Sequence, residues 1–306
     1  MITLPIASSL AEMESIGLAE LIDRAALQTR VDRKYVVPVA ELPPLLSQLT
    51  PHAQVLDIDG ERSFRYESVY FDTPRLASYH CAAYRRRRRF KVRTRTYLDS
   101  GDCWLEVKIN GARDSITKHR LPYQPQDRSC VRPGRDFVDE ILTREAISPG
   151  GDFDATLVTT YRRSTLLLPV SASRVTIDTG LSWQAGQTTL SLPDVAVVET
   201  KTSSAASSVD RMLWQRGIRP IRISKYATGL AALRPDLPDA PWRRTLRRHF
   251  CISMPVPCQS PAGPSGSASP GSASPDRSSR LAPRLVAPHS PTSTMARRTE
   301  QEASCV

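Results

Sequence analysis

Uncharged and charged side chains alternate most regularly between residues 89 and 109. Lys91, Arg93 and Arg95 fall on every other residue, with Phe90, Val92, Thr94 and Thr96 between them. Side chains two apart on a strand share a face, so the cations form a row. Further on, Asp102, Trp104, Glu106 and Lys108 alternate with Cys103, Leu105, Val107 and Ile109. The pattern predicts two adjacent strands, at about 89–97 and 102–109, with one charged face and one packing face. The same alternation recurs in Arg30, Asp32 and Lys34 (strand 29–37) and in Lys118 and Arg120 (115–121). It returns in Arg174, Thr176 and Asp178 against Val175 and Ile177 (173–178), and in Glu199 and Lys201 against Val198 and Thr200 (194–201). Further strands are predicted at 64–71, 155–167 and 219–223, with Arg163 on a strand placed to pair with that of Arg174. A period near 3.6 predicts a helix over 9–28, with Leu10, Met13, Leu18, Leu21, Ile22 and Ala25 toward one side. Shorter helices are predicted at 41–49, where Pro43 and Pro44 sit in the first turn, and at 135–146, 207–216 and 226–233.

Gly, Pro, Asp and Asn separate these strands, most of which follow one another directly. The expected architecture is α+β: an antiparallel β-barrel with a polar lumen, backed by helices. From about Pro238 the text turns to Pro, Ser, Gly, Ala and Arg, including SGSASPGSASPD at 265–276. Such a segment buries too little apolar surface to offset its ordering entropy. The predicted division is therefore a domain over 1–237 and a disordered tail over 238–306, which opens on a short basic helix at 242–250.

Composition narrows the function. The formal charge of +11 over 306 residues divides into +6 up to residue 237 (33 basic, 27 acidic) and +5 beyond it (9 and 4). The folded part is only mildly basic, so its cations matter by clustering. Six cysteines form no C-x-x-C pair and no tight Cys/His group, which indicates neither a structural zinc nor a disulfide framework. Acids at Glu12, Glu14, Glu20 and Asp23 are unlike a secretory signal, and no apolar run approaches the ~20 residues that span a bilayer. A soluble, cytoplasmic chain is expected, with membrane-spanning partner subunits left open.

The candidate chemistry lies in the charged faces. Arg85 to Arg95 holds eight cations and no anion. Arg85 to Arg88 are expected to form a basic rim or helix end that steers anions, with Arg93 and Arg95 deeper. Any one charged pair is what a solvated strand face ordinarily carries. Recurrence over six strands points instead to a bound polyanion, with a metal. No H-E-x-x-H, Walker loop, G-x-G-x-x-G or Ser/His/Asp constellation occurs. Sparse aromatics among the basic residues and the lack of a known motif argue against a nucleic-acid partner.

Eight short motifs carry a family resemblance: DRKYVVP at 32–38, VYFDT at 69–73, KVRTRTY at 91–97, LEVKIN at 105–110, TYRRSTL at 160–166, RVTIDTGL at 174–181, VVETKT at 197–202 and ISKYATGL at 223–230. In sequence and order they resemble the VTC domain, the polyphosphate polymerase domain of the vacuolar transporter chaperone complex and a member of the triphosphate tunnel metalloenzyme superfamily. The likeness spans roughly 28–233 and says nothing of the tail. It implies a tunnel open at both ends that takes ATP and polyphosphate and holds Mn2+ or Mg2+ on a glutamate. Lys34, Arg93, Arg95, Arg163, Arg174 and Lys225 match the family's phosphate-binding positions, with Lys108, Lys118, Arg120 and Lys201 as further tunnel cations. Glu199 matches the metal-binding glutamate, and Glu106 stands as a second carboxylate. Arg30 and Asp32 depart from the wider superfamily's E-x-E-x-K signature, a change that favours holding a polyanion over activating water. The resemblance thus implies an ATP-dependent polymerase. A tripolyphosphatase or nucleoside triphosphatase, and a non-catalytic sensor of polyphosphate or inositol phosphates, stay open as alternatives.

Overall fold

The structure, a computed structural model, describes residues 4–24, 31–110, 116–203 and 205–250. All of them belong to the larger of two units, Met1–Pro255 with Ser304–Val306. The strands are β1 (Glu14–Ile16), β2 (Val31–Pro38), β3 (Gln54–Leu56), β4 (Phe64–Asp72), β5 (Arg89–Tyr97), β6 (Cys103–Asn110), β7 (Ile116–Tyr123), β8 (Asp154–Leu168), β9 (Ser173–Ala185), β10 (Thr188–Leu192) and β11 (Val195–Thr202). The helices are α1 (Leu4–Ala11), α2 (Leu18–Arg24), α3 (Leu42–Leu49), α4 (Ala77–Ala83), α5 (Arg135–Arg144), α6 (Ser208–Gln215), α7 (Lys225–Leu233) and α8 (Arg243–His249). None of the described helices is long and apolar enough to cross a membrane.

The strands join one 11-stranded sheet whose main path runs β2-β11-β9-β8-β4-β5-β6-β7, antiparallel throughout. β10 adds to β9, β3 to β8, and β1 pairs parallel with β3. This is the expected α+β architecture. The hydrogen-bonded path stays open between β2 and β7, yet it curls until Lys34 on β2 lies in the field of Lys108 on β6 and Lys91 on β5.

Alternation sorts the two faces. On the convex side, Phe90, Val92, Leu105, Val107 and Ile109 pack under Val138, Ile141 and Leu142 of α5. Tyr35, Val37, Val175, Ile177, Ala196 and Val198 pack under α1, α3 and α6. Each fully buried Val, Leu, Ile or Phe in these layers is worth roughly 1.5–3 kcal/mol. Helix α3 buries Leu42, Leu45, Leu46 and Leu49, an i, i+3, i+4, i+7 stripe, and its prolines fall in the first turn where no helical N–H is lost. Helix α6 starts on a capping box between Ser207 and Asp210.

The concave side is covered in part by α7. Gly229 lets this helix seat on Trp183, because an added Cβ would stand 2.2 Å from the indole. Trp183 Nε1 donates to the Lys225 carbonyl at 2.9 Å, and the Ser224 hydroxyl caps the helix by accepting from Ala227 N at 3.2 Å. A register shift between Thr160 and Arg162 against β9 changes parity there. Arg174, Thr176 and Asp178 therefore share the concave side with Leu181 and Trp183, which join the α7 cluster.

Three sequence expectations change. Of the helix expected over 9–28, residues 9–24 are helix, strand and helix, and 25–28 lie outside the described residues: Ile16 pairs with Leu56, and the four residues Ile16, Leu21, Leu56 and Leu167 form their own cluster. At 219–223 there is no strand. Ile221 N donates to the Lys34 carbonyl at 2.8 Å, but Pro220 has no N–H with which to extend a ladder. The folded chain also passes residue 237. Trp242 (5% exposed) and Phe250 (4% exposed) pack with Tyr79 and Trp183, and Tyr79 Oη donates to the Pro238 carbonyl at 3.0 Å. The basic helix expected at 242–250 is α8; the rest of the expected tail lies outside the described residues.

Candidate functional site

Three carboxylates organise the concave face, each reached by cations from at least two elements. Glu106, 2% exposed, lies opposite Arg93 on one neighbouring strand and Arg120 on the other. Arg93 Nη2 approaches it at 2.6 Å, Lys118 Nζ at 2.7 Å and Arg120 Nε at 3.3 Å, so both carboxylate oxygens are engaged. Burial opposes ionisation of Glu106, but Arg93, Arg95 and Lys118 outweigh it and hold the carboxyl well below its ordinary range.

Asp178, 1% exposed, takes a two-pronged contact from Arg163, Nε to Oδ1 at 2.6 Å and Nη2 to Oδ2 at 2.9 Å. Lys225, the first residue of α7, also donates to Oδ2. Here too burial is outweighed, by Arg163 and then Lys225, and the carboxyl is held at about 2. The same cations lie over aromatic rings. Arg163 stands 5.4 Å from the centres of Tyr66 and Tyr161, Arg95 5.7 Å from that of Tyr66, and Lys225 Nζ 4.3 Å from that of Tyr161. Tyr66 and Tyr161 themselves stack, 5.3 Å apart at 6°.

Glu199 is engaged differently. Lys34 lies opposite it on β2 and donates to Oε1 at 3.1 Å, and Lys201 stands 3.8 Å from the same oxygen. Both contacts fall on Oε1. Its side chain is 15% exposed, against 2% or less for the other two. Lys201 pairs in register with Arg174, which is 4% exposed, and feels its charge.

The structure thus brings the twelve residues assigned to the site from the family resemblance into one connected field, while Arg30 lies outside the described residues. Lys108 links the Glu106 and Glu199 groups, lying in the fields of Arg93, Lys34 and Glu199. Arg95 links the Glu106 and Asp178 groups. Sequence reasoning assigned no role to Asp178, Tyr161 or Lys91. Asp178 continues the alternation of Arg174 and Thr176, and that signal could have found it. Tyr161, 3% exposed, has a buried hydroxyl without a hydrogen-bond partner, close to Arg95, Arg163 and Lys225; nothing local in TYRRSTL marks it. Lys91 donates to the Ser224 hydroxyl at 3.0 Å. Burial, then repulsion from Lys108, Lys34 and Arg93, pulls its ammonium down to about 7; Lys108 falls to about 8, chiefly by burial and then by Lys34.

Among the described residues no three His, Cys, Asp or Glu side chains come together, so no all-protein cage for a cation is formed there. A magnesium-like ion needs only one or two carboxylates when substrate phosphates supply further oxygens. Glu199 fits that use. Glu106 and Asp178, with both oxygens taken by cations, fit the anchoring of the basic side chains instead.

The sequence model of the VTC domain matches residues 29–234. No curated protein matches the chain. Similar solved structures include a putative adenylyl cyclase from Hippeastrum described as having a dominant triphosphatase activity, with TM-score 0.45, 15% identity, and coverage of 66% of this chain and 96% of that one. A putative adenylate cyclase from Vibrio parahaemolyticus gives TM-score 0.40, 12% identity, and coverage of 67% and 98%. One from Bacillus halodurans gives 0.40, 11%, and 76% and 95%. With the family match covering well over half of its length, the chain belongs to the VTC domain family.

Proposed function

We propose that this chain is an ATP-dependent polyphosphate polymerase. The observation that carries the reading is the state of the buried carboxylates. Glu106 and Asp178 are ionised, doubly engaged and far below the range of a general base, which works best with a pKa near the operating pH. They suit the fixing of cations better than the activation of water, and family membership supports the same assignment. Phosphoryl transfer asks the protein mainly to hold a phosphate chain in line and to compensate its charge.

In this reading Lys34, Arg93, Arg95, Arg163, Arg174 and Lys225 grip the triphosphate, arginines by paired N–H donors and lysines as point charges. Lys108, Lys118, Arg120 and Lys201 hold the growing chain. A terminal phosphate oxygen of that chain forms a bond to the γ-phosphorus of ATP, the bond from that phosphorus to the β,γ-bridging oxygen breaks, and ADP leaves with the electron pair. Glu199 would hold a divalent ion, Mn2+ or Mg2+, which would supply further compensation of the phosphate charge. The remaining work falls to the fixed cations, which orient the chain and stabilise the transferring group.

The test is purified protein with ATP and Mn2+, followed by gel analysis of acid-stable polymer and measurement of ADP. Polymer and ADP are expected in step. Orthophosphate without polymer would make it a triphosphatase, and tight binding of polyphosphate without ADP formation would make it a sensor.

A further inference from the structure

The cation row of β5 does not stop at the end of the strand. Arg95, Arg93, Lys91 and Arg89 share parity and stand about 7 Å apart at each step. Arg89 lies in the field that Lys91 feels, and its Nη1 donates at 2.8 Å to the carbonyl of Arg86. Arg86 belongs to the exposed run Arg85 to Arg88. The row therefore runs from buried Arg95 through half-buried Arg93, Lys91 and Arg89 into the exposed run, with no anion in the row itself.

The run is held by a costly turn. Arg86 N donates to the Cys81 carbonyl at 2.9 Å and Arg85 N to that of Ala82 at 3.2 Å, the pair of bonds that ends a helix in a Schellman motif. The residue at the left-handed position is Arg85, φ +53°. Glycine adopts this conformation without penalty, whereas in a residue with a side chain the Cβ crowds the following carbonyl oxygen. The chain thus carries an arginine where glycine would make the more stable turn. Arg87 and Arg88 follow it with solvent-exposed side chains, Arg88 reaching only the Ala146 carbonyl at 3.4 Å. Nothing in the packing of the fold asks for this charge.

Resting on the polymerase reading, we propose that Arg85 to Arg88 are a rim track for the part of a polyphosphate chain that extends beyond the concave face, so that they select long chains over triphosphate. A triphosphate is satisfied by the buried cations. A chain that passes Lys91 and Arg89 meets the exposed run next, and each phosphate held there releases counterions, as in other polyanion complexes.

The experiment compares Arg86→Ser/Arg87→Ser/Arg88→Ser and, separately, Arg85→Gly with the wild-type chain. The probes are sodium tripolyphosphate, long-chain polyphosphate and phosphatidylserine vesicles, each titrated at several salt concentrations. The triple variant is expected to bind tripolyphosphate as wild type does and long chains on the order of tenfold more weakly, three exposed cations contributing a few tenths of a kcal/mol each. Its salt dependence for long chains becomes shallower. Arg85→Gly is expected to melt higher while binding long chains less well, a combination that a structural role would not produce. Equal weakening toward both phosphates, or none toward long chains, would overturn the track. Loss of vesicle binding with long-chain affinity intact would assign the run to an anionic membrane instead. Failure of the wild type to bind tripolyphosphate would refute the polymerase reading itself.

Discussion

The two walls of the concave face carry positive charge in different ways. On β4, β8 and β9 the cation is Arg163, stacked on Tyr66 and Tyr161 and clamped to Asp178, with Lys225 tied to the same carboxylate. The guanidinium of Arg163 is always charged and is fixed in its geometry by that clamp. On β5, β6, β11 and β2 the cations include Lys91, Lys108, Lys201 and Lys34, packed near one another. Three of them, Lys91, Lys201 and Lys108, have ammonium groups that burial pulls down to about 7, about 7 and about 8. In the proposed function, the first wall would position the anion and the second would adjust its charge to it.

The sharpest way to break this contrast is to remove the anchor of the fixed wall. Asp178→Ala leaves Arg163 and Lys225 buried without their carboxylate, and a loss of about 3–5 kcal/mol is expected in denaturant unfolding. A loss below 1 kcal/mol would mean that the tyrosine rings alone hold the arginine. Next comes truncation after Pro235, which removes Trp242 and Phe250 from behind Trp183 and α7. Deleting one such aromatic from a core typically costs about 3 kcal/mol or more, so a clear fall in melting temperature is expected. An unchanged melting curve would show that the aromatic wall stands without its backing.

Binding separates the walls further. Arg95→Ala should weaken ATP or polyphosphate binding by roughly 1.5–3 kcal/mol, the range for hydrogen bonds to charged groups. Unchanged affinity in a folded Arg93→Ala/Arg95→Ala variant would remove these residues from the site. The lysine wall is read through pH. The Lys91 ammonium sits at about 7 in the folded chain and near 10.4 when unfolded, so the unfolded state binds more protons between those values. Stability is therefore expected to rise with pH across that window. A bound polyanion restores the charge, so its affinity falls as pH rises through the same window, by at most about tenfold per pH unit for one lysine. Calorimetry near pH 8.5 in buffers of different ionisation enthalpy should show proton uptake on binding, reduced in Lys91→Met. Zero uptake would mean that Lys91 is already charged in the free chain. The smallest effect on the fold is expected from Glu199→Gln, about 1 kcal/mol or less for a partly exposed group. That variant should still bind polyphosphate but lose metal-dependent turnover; normal turnover in Mn2+ would move the metal elsewhere.

How much of this was legible depended on the range of the interaction. Period-two alternation at Lys91, Arg93 and Arg95 identifies strand and face together, because each buried neighbour is adjacent in sequence. The partner of a buried charge is not local: Arg163 and Asp178 meet through the β8–β9 register, and Lys225 joins them from a helix that follows two further strands. Helical periodicity over 9–28 misled for the same reason. Its break at β1 is decided by pairing with β3, forty positions on at Gln54. The compositional boundary at 237 marks where long apolar periodicity fades; Trp242, Leu246 and Phe250 keep a four-residue spacing, but over one short basic helix whose burial depends on the distant Tyr79 and Trp183.

The unclosed end of the sheet has a consequence for the protein's own solubility. β7 ends the path and pairs only with β6 among the described residues, and an unpaired strand edge invites a second copy to add its own. Pro122 lacks the N–H such an addition would use, and Lys118 and Arg120 would meet their counterparts across the new seam. The cations proposed to serve an anion on the concave face would therefore also act as gatekeepers, opposing edge-to-edge joining of neighbouring molecules at β7.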